Sequence, residues 1–281
     1  MTLKMTKPAR RQKPITPNQR KGLPIHNPVS IEERYKRELV ALSRQMAKET
    51  KAAVLELFRS PDAREYFAQD ASIAIQARSV LNLLSAKFSR IYSRHAQILA
   101  RRMIDDVDAQ SKATLMKSFK ELTGQVTLRI EDMPRDMFEA SIENNVQLIK
   151  SIPERYLNDV SGSVLRSITD PNGGGIGKLQ EDLRKYQGIS ERKAKMIAMQ
   201  ETRRAYQSVN IERSKAAGVK KGIWIHTGGT KEPRPKHKAY NGQEFDLSKG
   251  APIGDKGDWV FPSQEINCRC SWTPVIDFDD M

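Results

Sequence analysis

From Ser30 to about residue 169, apolar side chains recur every three to four positions, the period of helices buried along one face. Ser30, with Glu33 three residues on, forms a capping box, and Leu39, Leu42, Met46, Ala53 and Leu57 follow at helical spacing, which predicts a first helix ending near Pro61. A longer stripe begins at Ala71 and runs through Ile73, Ala77, Val80, Leu81, Leu84, Phe88, Ile91, His95, Ile98 and Leu99. His95 has no carboxylate or thiol beside it at helical spacing, so it reads as a core histidine satisfied by its own helix. Further helices are predicted at 112–123, 135–150 and 154–169, with Gly124, Pro134 and Pro153 as breaks.

Ser190 reads as the N-cap of the next helix, with Ala194, Ala198, Glu201, Ala205, Val209, Glu212 and Ala216 on one face and Gly218 as its end. Glu201 therefore stands among small residues. It is either a surface carboxylate paired with Arg204 or Arg213, or a buried one held by a cation from the following segment, and the flanking alanines favour the second. After Gly218 the period changes. Val219–Ile225, Glu244–Asp246 and Cys268–Trp272 read as short strands separated by Gly- and Pro-rich turns.

The pattern predicts an α+β protein: a mostly helical N-terminal region followed by a small α+β domain with short strands. Three regions are expected: a disordered basic arm at 1–29, an all-helical region at 30–159 and the α+β domain at 160–281. The arm is inferred from five prolines without apolar periodicity. Asp170 to Lys178 invites comparison with a phosphate-binding loop, but Asn172 and Leu179 stand where a P-loop needs Gly and Ser or Thr. It reads as a turn.

Charge narrows the partners. The net charge is +14, and half of the excess lies in residues 1–31, where Lys4, Lys7, Arg10, Arg11, Lys13, Arg20 and Lys21 meet no acidic residue. Such a tail suits non-specific contact with double-stranded DNA through its phosphates, and these seven are the candidate DNA-binding residues. Apolar runs fall short of the roughly 18 residues that span a bilayer, and the charged N-terminus does not resemble a signal peptide, so no membrane is expected and the protein is expected to begin in the cytosol.

The chemistry-bearing side chains cluster late in the chain. Cys268 and Cys270, expected on one face of a strand, and His237 and His226 supply two thiols and two imidazoles, the types of a structural zinc site. The alternative is that the thiols are small core residues, while a Cys268–Cys270 disulfide is disfavoured by the geometry of neighbours on one strand face. No catalytic residue is assigned. A metal-dependent nuclease or hydrolase using Glu201, His237 and the Cys pair is the alternative function, although no oxyanion-hole or Gly-x-Ser-x-Gly element accompanies them.

Taken in order, Ala198-Met199-Gln200-Glu201, Trp224, Arg234 to His237 with Gly242, Pro262, and Asn267-Cys268-Arg269-Cys270 with Pro274 resemble the C-terminal domain of phage Mu F-like head-morphogenesis proteins. The resemblance spans residues 160–276. Met199-Gln200 departs from the usual Arg-Thr, and Gly228-Gly229 from an Asp after the Trp. It implies a bacteriophage minor head protein of the virion, acting in capsid assembly at the portal vertex or capsid interior and in contact with packaged DNA, including during ejection. Portal protein and major capsid or scaffolding protein would be its partners. Glu201, Arg234 and Trp224 are implied structural positions, with Glu201 and Arg234 expected as a buried ion pair.

Overall fold

The computed structural model describes residues 19–58, 71–123, 130, 132–169, 175–228 and 233–277. Lys4, Lys7, Arg10, Arg11 and Lys13 lie outside these residues, as do 170–174 of the expected turn, while its last four residues, 175–178, are helical. Four long helices come first: α1 (Val29–Leu57), α2 (Ala71–Thr123), α3 (Arg135–Thr169) and α4 (Gly175–Ala216). Strands β2 (Lys221–Ile225), β3 (Glu244–Asp246) and β4 (Ser271–Asp277) follow, with a short helix α5 (Pro235–Ala239) after β2. A strand β1 (Gln19–Lys21) precedes α1 and completes an antiparallel sheet in the order β1-β4-β2-β3. The α+β class is as expected.

Three helix boundaries differ from expectation. The stripes at 71–99 and 112–123 belong to the single helix α2, because Met103, Ile104, Val107, Ser111, Leu115 and Phe119 carry its buried face through the polar stretch around Asp105. Its earlier face runs through Tyr92 and Ala96, while Ile98 is exposed. His95 is half-buried and its Nδ1 lies 2.9 Å from the Ile91 carbonyl oxygen. Pro153 sits inside α3 without ending it. Proline removes the donor that the Ile149 carbonyl would receive. Ile149, Ile152, Tyr156, Leu157 and Val160 nevertheless stay buried across it, Ser151 Oγ donates to the Leu148 carbonyl (2.6 Å), and Lys193 Nζ donates to the Ser151 carbonyl (2.8 Å). Ser190 is no cap. It lies inside α4, buried, with its Oγ 2.7 Å from Ser43 Oγ.

Gly218 does end α4. Its φ of +86° admits a left-handed residue, Gly218 N–H donates to the Lys215 carbonyl and Val219 N–H to the Ser214 carbonyl, the paired bonds of a Schellman stop.

The described residues form two compact units, and they do not divide at residue 160: 30–58, 71–104, 136–169 and 175–201 make one, and 19–29, 105–123, 130, 132–135, 202–228 and 233–277 the other. Uninterrupted helices α2 and α4 each contribute to both, so no single cut in the sequence separates them. In the helical unit Leu39, Met46, Val54, Phe88, Tyr92, Ile149 and Val160 form the core. Tyr35 donates to Asn145 Oδ1 at 3.2 Å, and Asn144 donates to the buried carboxylate of Glu201 at 2.9 Å.

In the sheet-bearing unit the expected arm is corrected for residues 19–29. Gln19–Lys21 pair with β4, Ile25 is fully buried and bridges Trp272, and Asn27 bonds Ser263 and the Arg269 carbonyl. The prolines misled because an edge strand hydrogen-bonds along one side only, so it tolerates flanking residues without a donor.

Candidate metal centre

The sheet presents Trp224 and Trp272 side by side, in register across β2 and β4 and both fully buried. Gly222 makes the packing possible: a Cβ there would lie 2.7 Å from Trp272 Cε3 and 2.9 Å from Phe245 Cε1. Trp272 Nε1 donates to Gln207 Oε1 at 2.9 Å, and Gln207 Nε2 donates to the Ile25 carbonyl and to Asn27 Oδ1. Helix, sheet and N-terminal segment are thereby tied through one buried amide.

His237 rides on α5, whose first residue is Pro235, a residue suited to that position because the first helical N–H needs no partner. The buried His237 ring stands edge-on to Trp224, centroids 5.3 Å apart at 81°. Gly242, at φ +78°, turns the chain back so that its N–H donates to the Trp224 carbonyl.

Cys268 and Cys270 lie in the loop before β4 rather than on a strand. Asn267 takes a left-handed φ of 62°, which asparagine tolerates better than most residues, and Cys268 N–H closes a turn onto the Glu265 carbonyl. The loop's carbonyls are held as well: Arg269 O accepts from Thr227 Oγ1 and Asn27 Nδ2, and Cys270 O accepts from Ser263 Oγ. The two sulfurs are thus held by backbone bonds outside the strand register.

Among the described residues His237, Cys268 and Cys270 form a buried group whose donor atoms all lie within 4.8 Å of one another. His237 Nδ1 is 3.6 Å from each sulfur, and His226 Nδ1 is 3.6 Å from Cys270 Sγ. On the far side of the His237 ring, Nε2 lies 2.7 Å from Glu265 Oε2. Hydrogen bonding from Cys270, against the opposing effect of burial and with help from His237, draws the Cys268 thiol down to about 4. The same sulfur–sulfur contact and burial push Cys270 up. Burial pulls His237 down, yet its bond to Cys268 and the charges of Cys268 and Glu265 outweigh this and raise it.

The structure brings His226, His237, Cys268 and Cys270 near one another, with Trp224 against the His237 ring. It does not supply the expected Glu201–Arg234 pair. Arg234 Nε lies 3.0 Å from Asp255 Oδ2 and 3.5 Å from Glu265 Oε2, and Glu201 accepts from Asn144. Two acidic residues close to Arg234 in the folded chain satisfy it without a helix partner. Sequence reasoning missed Glu265, Gln207 and Asn27. Only Glu265 left a trace, three residues ahead of Cys268 in the same turn.

Residues 158–273 match the Phage Mu protein F like family. The Mu F-like segment begins in α3, takes in all of α4, and ends inside β4, so it contains every residue of the candidate centre but not β1. An uncharacterized protein of Haemophilus influenzae is 24% identical over 273 residues, a match that covers 94% of this chain and 58% of that protein. The chain thus spans somewhat over half the length of this relative. No solved structure matches.

Proposed function

We propose that the chain is a bacteriophage minor head protein, acting in capsid assembly at the portal vertex and contacting packaged double-stranded DNA. The Mu F-like segment carries this reading, because it takes in α4, β2, α5, β3, the cysteine loop and the start of β4. Portal protein and major capsid or scaffolding protein are the proposed partners, in the virion and, during assembly, in the host cytoplasm. The basic N-terminal residues support DNA contact, and of these Arg20 and Lys21 stand exposed on edge strand β1. No helix among the described residues is long and apolar enough to cross a membrane. Burial of His237, Cys268 and Cys270 favours a non-enzymatic role, since a hydrolytic metal centre keeps a position open to water and substrate.

Co-expression with the portal, scaffolding and capsid proteins of its phage tests the reading. The protein should sediment with portal-bearing particles and be lost from shells assembled without portal. Sedimentation at the top of the gradient in both cases overturns it. For the DNA contact, removal of residues 1–18 should lower affinity and flatten its salt dependence, because five cations leave with them.

A further inference from the structure

We propose that Cys268, Cys270, His237 and His226 hold a structural zinc ion that staples the sheet-bearing unit. The inference rests on side-chain geometry and stands apart from the head-protein reading.

Zinc–sulfur bonds of about 2.3 Å and zinc–nitrogen bonds of about 2.05 Å, set at the tetrahedral angle, place sulfur and nitrogen about 3.6 Å apart. The three sulfur–nitrogen separations around the cluster are each 3.6 Å: Cys268 to His237, Cys270 to His237 and Cys270 to His226. They match three of the six edges of a zinc tetrahedron. They join four residues from three separate places in the chain: the end of β2, α5 and the loop before β4. His237, Cys268 and Cys270 are buried and mutually within 4.8 Å, whereas His226 lies at the more exposed rim against Cys270 alone, and as the fourth ligand it would have to turn its ring inward.

Three further observations agree. Both cysteines are free. Glu265 stands 2.7 Å from the His237 nitrogen that faces away from the sulfurs, the place where a carboxylate orients a ligating imidazole and raises its basicity. Two thiolates and two neutral imidazoles cancel the charge of a divalent ion, so the filled site suits the aromatic surroundings of Trp224, and soft sulfur donors select zinc over magnesium or calcium. With four protein ligands and a buried position, the ion would act on folding rather than on a substrate.

The test uses the full-length chain, purified without a polyhistidine tag or chelator from zinc-supplemented medium. Elemental analysis should find one zinc per chain, and exchange with cobalt should give a thiolate-to-cobalt charge-transfer band with the absorption of a tetrahedral ion. Cys268→Ser and Cys270→Ser should lose both signals. His226→Ala should keep the metal but release it to a competing chelator about 10- to 100-fold more readily, and unchanged release would remove His226 from the set. Should the cysteine variants fail to fold, titration of the folded wild type with an organomercurial should free zinc in step with the two thiols. Folded wild-type protein that holds no zinc and gives no cobalt spectrum overturns the proposal.

Discussion

Leu39, Met46, Val54, Phe88 and Ile149 occupy the centre of the helical unit, whereas in the sheet-bearing unit Gln207, Asn210, Arg213 and His237 are as deeply buried as Trp224 and Trp272. The helical unit can be built from stripes, since each long helix offers an apolar face and burial of that face is roughly proportional to the area removed from water. Short strands of three to seven residues cannot do this. Their unit relies on named polar partners: Ser111 donates to Asn210, Tyr206 to Thr114, and Arg213 to both the backbone carbonyl and the carboxylate of Asp108. Such contacts add little net free energy when made but cost a full desolvation penalty when one partner is lost. Thus the two units should differ less in total stability than in the kind of substitution that damages them.

The largest effect should come from Trp272→Ala, which removes a fully buried indole and leaves Gln207 Oε1 without its donor, a loss of about 3–5 kcal/mol. Hydrogen exchange should show lost protection at residues 19–27, 105–123 and 202–277. Equal loss across 30–57 would mean that the units unfold as one. Met46→Ala makes the reciprocal test in the helical unit, with about 2–5 kcal/mol lost by denaturant unfolding and exchange faster in α1 and α3 than in the sheet.

Gln207→Met separates polar from apolar contributions, because the volume is nearly kept while Trp272 Nε1 loses its acceptor. About 1–3 kcal/mol should be lost, and a neutral result would mean that packing alone holds the sheet. Arg234→Gln should cost under about 1 kcal/mol, since Asp255 is exposed and the ion pair is solvated. A loss of about 3–5 kcal/mol would instead mark a desolvated charge and restore the idea of a buried clamp at this arginine.

The sequence alone indicated most of the long helices, where Gly218 stops α4, that β2 and β3 follow it, and which four side chains are of metal-ligating types. Each was legible because its signal is local: a 3.6-residue period, a residue that accepts positive φ, an alternation between turns, a side-chain type. Glu201 is buried, as its helical face suggested. Tertiary structure decided the rest. Ser190 had the identity of a cap and Pro153 that of a breaker, but a capping preference of about 1 kcal/mol and an interior proline's cost of about 3 kcal/mol are each within what continued burial of a helix face can supply, so α4 and α3 run through them. The pairing of Gln19–Lys21 with Val275–Asp277, of Asn27 with Ser263, and of His237 with Glu265 joins residues that no short period relates. These contacts form because β4 exposes an unpaired edge and buried polar atoms must find partners, conditions that exist only once the chain has folded.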